Sequence, residues 1–333
     1  MKKIHVRKLS AALAGCGLLS VAPVGAAPLG LAQAPAGTVT VAPPPPNLIL
    51  TIDDSGSMGT LQGATTRMGA LKSALKTAFS AANVPDNSIR LGWNTLNECP
   101  AFLTSSTLAA CGAGGNIVRP LTNAHRKNFT DWVTSGLNAS GNTPTHNAYR
   151  PALAEFDKPA SDKNSPWAEV PGEKSGEYLT CRKSYVMLLT DGEYNVAQSA
   201  ANTIAVGGSY DLDSLSRVLG DGTPYPPASA NAANIYKQGQ AASGSYKNTL
   251  ADLAFHYWAK DADGDSSNNN VKELIRVTTN ENGIDKFWNP KNDPATWQHV
   301  STYTIGYGTA ASGWTENPNL DGSKTPPETL YDS

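Results

Sequence analysis

Five small oxygen-bearing side chains stand out in this sequence because each follows an apolar run or precedes a helical pattern. Asp53, Ser55 and Ser57 occupy alternate positions directly after the apolar segment 47–52. Thr143 ends a Gly-Asn-Thr string before a helical pattern, and Asp191 follows the clearest strand pattern of the chain. Carboxylate and hydroxyl oxygens are ligands of hard divalent cations, Mg²⁺ first and then Ca²⁺ or Mn²⁺. These residues therefore predict a divalent-metal site.

Strands must bring these residues together. Residues 47–53 and 183–190 are short apolar runs, typical of strands that are buried on both faces of a parallel sheet. Helical periodicity alternates with such runs, which predicts an α/β fold with a doubly wound, mostly parallel central sheet flanked by helices. Ligands of open α/β sheets bind outside the carboxyl ends of the strands. The predicted strands cover 47–53, 88–96, 183–190 and 300–307, and the predicted helices lie near 68–79, 123–137, 145–157 and 250–258.

The folded domain is expected to cover residues 47–310. Two segments within it, 196–245 and 260–298, are rich in Gly, Ser, Asn and Pro and do not fit a strand-helix alternation. They are predicted to be long surface insertions. Residues 311–333 show no periodicity, and we expect an irregular tail of a fragment or a truncated chain.

The N-terminus has the pattern of an export signal. Four basic residues among the first eight precede an apolar, small-residue stretch that ends near Ala26. Residues 1–26 are therefore predicted to be a signal peptide, and residues 27–46, which end in four prolines, a linker. A lipobox-like Leu-Ala-Gly-Cys string that ends at Cys16 leaves lipoprotein anchoring as an alternative to ordinary cleavage. The expected location is the periplasm, the outer membrane or the cell surface.

Export to an oxidising compartment permits disulfide bonds. Beyond the signal, the sequence contains Cys99, Cys111 and Cys181. Cys99 and Cys111 can close a short loop, which would leave Cys181 as the odd thiol, although spacing alone does not fix the connectivity.

Charge and patterning exclude several classes of protein. The formal net charge is −2, and the chain lacks the basic composition on which general nucleic-acid binding depends. Outside the signal, no stretch of the sequence reaches the roughly 18 apolar residues of a membrane span. The sequence also contains no nucleophile elbow, no Walker A motif and no histidines at zinc-ligand spacing.

The order of motifs, strand-D-x-S-x-S, then a G-x-T loop, then strand-T-D-G, resembles the von Willebrand factor A domain and its metal-ion-dependent adhesion site. The resemblance implies that Ser55 and Ser57 bind the metal directly and that Thr143 does so in the open form. It also implies that Asp53 and Asp191 act mainly through water. Because few carboxylates then touch the ion, it stays electrophilic and can accept an Asp or Glu carboxylate from a protein partner.

Three longer strings make the resemblance specific to one family. Residues 191–195 read Asp-Gly-Glu-Tyr-Asn, residues 250–258 read Leu-Ala-Asp-Leu-Ala-Phe-His-Tyr-Trp, and residues 297–306 read Trp-Gln-His-Val-Ser-Thr-Tyr-Thr-Ile-Gly. They are similar to the T-D-G-x-W-N, L-A-D-x-A-x-x-Y-W and W-Q-H-x-x-T-x-T-I-G segments of the PilC/PilY family of type IV pilus biogenesis factors and tip adhesins. The resemblance implies an exported, pilus-associated protein of a Gram-negative bacterium, whose ligand is a host surface or matrix protein or a minor pilin.

The chain departs from that family at two points. Tyr194 replaces the usual Trp, and the family's C-terminal β-propeller is not part of this sequence. Calcium-dependent control of pilus retraction, which belongs to the propeller in that family, is therefore not expected of this chain.

The expected function is a metal-dependent adhesion or binding module rather than an enzyme. One alternative is a structural pilus-assembly factor whose metal site is idle. Another is a phosphoryl-transfer enzyme of the haloacid dehalogenase type, but such enzymes need a second Asp where Ser55 stands. The acidic loop that begins at Asp261 lacks the Gly and Glu of an EF-hand and is expected to be solvated. Glu193 and His146 are expected at the surface.

Overall fold

The computed structural model describes residues 43–105, 109–159, 161–170, 174–192, 217–225, 250–281, 283–289 and 291–307. The predicted signal peptide, most of the predicted linker, Glu193, Tyr194 and the predicted tail lie outside these residues. Within the described residues, no helix is long and apolar enough to cross a membrane.

Five strands form the central sheet. They are β1 (Asn47–Ile52), β2 (Arg90–Thr95), β3 (Arg119–Pro120), β4 (Ser184–Thr190) and β5 (Val300–Gly306), and their order across the sheet is β5-β4-β1-β2-β3. Strand β1 pairs in parallel with β2 and β4, and β5 pairs in parallel with β4. Only the short β3 runs antiparallel, against β2, among these described strands. The predicted α/β class with a mostly parallel sheet is therefore confirmed, with one antiparallel edge strand added.

Helices cover both faces of this sheet, which explains the apolar runs of its central strands. They are α1 (Arg67–Ala78), α2 (Asn123–Ser135), α3 (Thr145–Ala154) and α4 (Leu250–Ala259). Each lies within a few residues of its predicted position, because the hydrophobic periodicity marks the buried face of each helix. Thr66 and Thr122 cap α1 and α2 by accepting hydrogen bonds from Gly69 N and His125 N.

Alternate residues of β1 point to two different clusters. Leu50 and Ile52 pack with α1 and α2 in the first cluster, and Ile49 packs with α3 and α4 in the second. In the first cluster, Trp93 stacks on Trp132 with ring centroids 5.4 Å apart. Burying these side chains removes apolar surface from water, which stabilises the fold by about 25 cal/mol for each Å² that is buried.

The segment 260–298 is more than the surface insertion that its composition predicts. Its buried side chains Ile284, Trp288, Ala295 and Trp297 pack with Leu219, Tyr225 and Ala259 in a third cluster. Gly220 permits this packing, because a side chain there would come within 2.4 Å of the Trp297 ring. Aromatic residues spaced irregularly along a polar segment give no periodic signal, so the sequence pattern does not reveal this core. Most of 196–245 lies outside the described residues.

Short elements complete the described part of the chain. Hairpins pair Leu61–Gln62 with Thr65–Thr66, Ala168–Val170 with Lys174–Tyr178, and Arg217–Val218 with Pro224–Tyr225. Turns of 3-10 helix occupy Gly56–Gly59, Ala109–Cys111, Glu155–Asp157, Ser266–Asn268 and Lys286–Trp288. Cys99 and Cys111 form a disulfide bond, and Cys181 is a half-buried free thiol, as the spacing suggested.

Candidate functional site

The candidate site lies at the carboxyl ends of β1 and β4. From β1 the chain passes to β2 on one side, and β4 lies on the other side of β1. The loops that leave β1 and β4 therefore diverge and leave a crevice, which is where open α/β sheets bind their ligands. The register pairs Ile52 with Leu189, so Asp53 and Asp191 emerge next to each other.

Asp53 fixes the loop after β1 against the end of β4. Its carboxylate is fully buried, and Oδ1 accepts a hydrogen bond from Ser55 N at 2.8 Å. Oδ2 accepts a hydrogen bond from Thr190 Oγ1 at 2.7 Å. Both carboxylate oxygens are therefore engaged by the protein, so Asp53 positions its neighbours more than it presents a free ligand.

Ser55, Ser57 and Asp191 form a continuous row of oxygen atoms. Ser55 Oγ lies 2.9 Å from Ser57 Oγ, and Ser57 Oγ donates a hydrogen bond of 2.7 Å to Asp191 Oδ1. Ser55 and the Asp191 side chain are buried, and Ser57 between them is exposed, so the row reaches the surface at Ser57. Three of the five predicted residues are thus in direct contact, although Asp191 lies 134 positions from Ser57.

Arg67 is part of this site, and the sequence analysis did not identify it. Its Nη1 lies 2.7 Å from Asp191 Oδ2, and the Asp191 side chain is fully buried. Arg67 is the first residue of α1, where the helix dipole disfavours a positive charge. A basic residue at that position is a weak sequence signal for an acidic partner elsewhere in the fold.

Thr143 reaches the same end of the sheet through the loop before α3. Gly141 O accepts a hydrogen bond from Gly56 N at 3.0 Å, which places this loop against the Ser55–Ser57 loop. Gly141 has a positive φ of 81°, and a side chain there would come within 2.7 Å of Asn97 Oδ1. Glycine is therefore required for this approach. Thr143 itself is buried.

Asp54 holds three loops together and is a second residue that the sequence analysis missed. Its Oδ1 accepts hydrogen bonds from Asn97 N and Asn97 Nδ2, and Oδ2 accepts one from Glu98 N, each at 2.9 Å. Its backbone carbonyl accepts a hydrogen bond from Ser140 N, and Asn97 Nδ2 also donates to Asn142 O. Burial raises the pKa of Asp54 above its ordinary value, and the hydrogen bonds from Glu98 and Asn97 oppose that rise. The two adjacent aspartates of the motif therefore have separate roles. Asp53 fixes the loop after β1 to the end of β4, and Asp54 joins that loop to the loops at 97–98 and 140–142.

The position of His146 differs from the prediction, which placed this residue at the surface. This residue is buried in the first turn of α3 and does not lie on a surface. Among the described residues, no group of three or more His, Cys, Asp or Glu side chains could hold a metal ion. A metal ion at this site would therefore need hydroxyl oxygens as well as carboxylates as ligands.

No family model matches the chain. A solved pilus adhesin, SpaC from Lactobacillus rhamnosus GG, overlaps 56% of this chain and 19% of its own chain at 20% identity, with a TM-score of 0.32. A TM-score this low carries no argument about fold or function.

Curated relatives give a clearer result. Over 258 residues, 78% of this chain, it is 38% identical to the type IV pilus biogenesis factor PilY1 of Pseudomonas aeruginosa strain PAK. It is 36% identical over 258 residues to PilY1 of strain PAO1 and 30% identical over 250 residues to PilY1 of strain UCBPP-PA14. The chain spans about a fifth of the length of these relatives, 18–20%. Over most of its length, the chain is therefore similar to one part of the Pseudomonas type IV pilus biogenesis factors named PilY1.

Proposed function

We propose that this chain is an exported von Willebrand factor A domain that binds a protein partner through a divalent metal ion, in type IV pilus assembly or pilus-tip adhesion. The similarity to PilY1 supports the pilus role, and the disulfide bond is consistent with export. The proposed location is the periplasm, the outer membrane or the pilus surface.

The observation that carries the proposal is the row Ser55–Ser57–Asp191 at the switch point of the sheet. Its oxygen atoms lie 2.7–2.9 Å from their neighbours, and its middle residue, Ser57, is exposed to solvent. Hydroxyl and carboxylate donors fit Mg²⁺, with Mn²⁺ and Ca²⁺ as alternatives. Ser55, Ser57 and Thr143 would hold the ion, and Asp53 and Asp191 would position them.

A bound ion would supply an electrophilic centre for an acidic side chain of the partner. The residues proposed as direct ligands, Ser55, Ser57 and Thr143, are neutral, so the ion's charge is incompletely offset by them. An Asp or Glu carboxylate of a minor pilin or of a host surface or matrix protein can therefore take the remaining position. The same donor set does not favour catalysis, because Ser55 stands where a phosphoryl-transfer enzyme needs a carboxylic acid.

A purely structural role in pilus assembly is the second candidate, and the Arg67–Asp191 ion pair favours it. The guanidinium neutralises the carboxylate without any metal. Such a site could be idle and could serve only to hold α1 against β4. The two predictions that follow separate these functions.

Divalent metal should raise the melting temperature of the chelator-treated protein. Ligand that binds the folded state alone stabilises it by about 2.7 kcal/mol at a hundredfold excess over its Kd. We expect Mg²⁺ or Mn²⁺ to produce this shift in the wild type and not in Asp191→Ala, as measured by differential scanning calorimetry. Asp131→Asn, which changes an exposed carboxylate on α2, is the matched control and should behave as the wild type. An identical melting curve with and without Mg²⁺ in the wild type would favour the idle site.

Replacing Arg67 by glutamine should increase the affinity for Mg²⁺ about tenfold. The substitution removes the positive charge that competes with the metal for Asp191, and hydrogen bonds to charged groups contribute about 1.5–3 kcal/mol. The same variant should melt at a lower temperature than the wild type in chelator. Arg67→Lys, which keeps the charge, should stay near the wild-type affinity. Titration calorimetry measures both, and a weaker Mg²⁺ affinity in Arg67→Gln would show instead that Arg67 orients Asp191 for the metal.

A further inference from the structure

The loop after α4 has a second group of oxygen atoms, separate from the site at β1 and β4. The loop reads Asp-Ala-Asp-Gly-Asp over 261–265, and its turn is made by Gly264 with a φ of 72°. The acidic composition predicts a solvated loop. In the structure, however, both carboxylate oxygens of Asp261 are buried. The backbone N–H groups of Asp263 and Gly264 lie close to this carboxylate, but neither is aligned for a full hydrogen bond.

A second carboxylate lies beside the first. The Asp263 side chain lies within hydrogen-bonding reach of the Asp261 carboxylate. Asp263 Oδ1 accepts a hydrogen bond from Asp265 N, and Oδ2 accepts one from Asn268 Nδ2 at 2.7 Å. Within the described part of the chain, no Lys, Arg or His forms an ion pair with either aspartate. Nearby Lys260 pairs instead with Asp157.

Gln298 provides an independent observation, a buried amide oxygen without a partner among the described residues. The residue is fully buried, and its Nε2 donates hydrogen bonds to Thr180 O at 2.7 Å and Asn268 O at 3.2 Å. These two carbonyls fix the orientation of the amide, because Nε2 must face them. Its Oε1 is then left buried, next to the acidic loop, and receives no hydrogen bond from the described residues. The backbone carbonyl of Gln298 also accepts a hydrogen bond from Ala262 N, which ties Gln298 to the loop.

Unpartnered oxygen atoms are concentrated at this one place. Of the seven buried side-chain oxygens without a hydrogen bond among the described residues, five belong to Asp261, Asn268, Asn269 and Gln298. Asn268 Oδ1 lies beside Asp263 Oδ2, because both atoms of its amide share one carbon and its Nδ2 contacts that carboxylate. Each buried polar group that lacks a hydrogen bond destabilises the fold by about 1–3 kcal/mol. Five such oxygen atoms that lacked any partner would therefore destabilise the fold strongly.

We propose that Asp261, Asp263, Asn268 and Gln298 form a Ca²⁺ site. Carboxylate and amide oxygens without nitrogen or sulfur donors suit a hard cation, and Ca²⁺ accepts such mixed, irregular sets more readily than Mg²⁺ does. The ion would neutralise the two facing carboxylates and satisfy the amide oxygens. It would also join the end of α4 to the residues that lead into β5, and so stabilise the third cluster. This site does not depend on the function proposed for Ser55, Ser57 and Asp191.

Titration of the chelator-treated full chain with CaCl₂, followed by calorimetry and by melting temperature, tests this proposal. We expect Ca²⁺ to bind and to raise the melting temperature of the wild type. Asp261→Asn should weaken Ca²⁺ binding at least tenfold and remove the thermal shift. Asp191→Ala, which alters the other site, should retain both effects, and so should Asp131→Asn. The failure of one site is therefore distinguishable from the failure of the other.

A second variant covers the case in which Asp261→Asn does not fold. Asn268→Asp adds a negative charge beside Asp263, so it should lower the melting temperature in chelator and increase the affinity for Ca²⁺. Equal Ca²⁺ affinity in the wild type, Asp261→Asn and Asn268→Asp would overturn the proposal. The proposal would also be overturned if the wild type did not bind Ca²⁺ and if Asp261→Asn had a higher melting temperature than the wild type in chelator. That result would indicate a proton shared by the two carboxylates.

Discussion

Replacing Ser57 by alanine is expected to abolish metal-dependent capture of the pilus partner, a loss of at least a hundredfold in affinity, while the fold stays intact. Ser57 is the exposed middle residue of the Ser55–Ser57–Asp191 row, so removing its hydroxyl creates no cavity in the core. The substitution removes a direct ligand of the proposed ion and the hydrogen bond that orients Asp191. The measurement is a pull-down from sheared type IV pili with the purified chain in Mg²⁺, with melting temperature as the check on folding.

Three treatments should give the same result if the metal is the recognition centre. Ser57→Ala, a chelator, and neutralisation of one critical Asp or Glu on the captured partner should each remove binding. Ser73→Ala, which changes an exposed serine on α1, is the matched control and should bind as the wild type. Full capture in the presence of chelator would mean that this site is not the recognition surface. The segments 196–245 and 260–298 would then be the better candidates.

Removing the Cys99–Cys111 disulfide bond should cost about 2–3 kcal/mol of unfolding free energy. The bond closes a loop with a sequence separation of 12, and the loop entropy of a 15-residue ring corresponds to about 3 kcal/mol. For a chain of 333 residues, such a loss lowers the melting temperature by roughly 3–5 °C. Urea unfolding of Cys99→Ser/Cys111→Ser against the wild type measures the difference.

The disulfide should also influence the candidate site, because Cys99 follows the residues that hold Asp54. Asn97 and Glu98 donate their backbone N–H groups to the Asp54 carboxylate. A more mobile 97–111 loop should therefore weaken Mg²⁺ binding as well. Cys181→Ser, which removes the free thiol, should change the unfolding free energy by less than about 0.5 kcal/mol. Equal stability of the double variant and the wild type, or mapping of a Cys181 bridge in the unreduced protein, would contradict the assignment.

The sequence by itself determined the layered α/β architecture, the position of the four described α-helices and the position of four of the five strands of the central sheet. Buried parallel strands need apolar residues on both faces, and helices on a sheet need an apolar stripe with a period of 3.6, so both patterns are local. The runs at 47–53 and 183–190 became the adjacent strands β1 and β4. Asp53 and Asp191 could be placed near each other for the same reason, since parallel strands put their carboxyl ends on one edge. The assignment of a von Willebrand factor A domain and of its metal stays a prediction.

Only the tertiary structure decided which charges meet. Arg67 and Asp191 are 124 positions apart, and no periodicity links the start of α1 to the end of β4. Likewise, the role of Asp54 depends on backbone N–H groups at Asn97 and Glu98, which any residue type could provide. Contacts of this kind depend on the path of the loops, which local propensity does not encode.

The tertiary structure also decided the character of the segment 260–298. Its polar composition indicates surface loops, and a local pattern cannot show that Trp288 and Trp297 pack with Tyr225. The same holds for Asp261, whose sequence neighbours indicate a solvated carboxylate, although its oxygens are buried. Burial is a property of what packs against a residue from elsewhere in the chain. The sequence could therefore name the oxygen-bearing residues, but only the fold distinguished a solvated aspartate from a buried one.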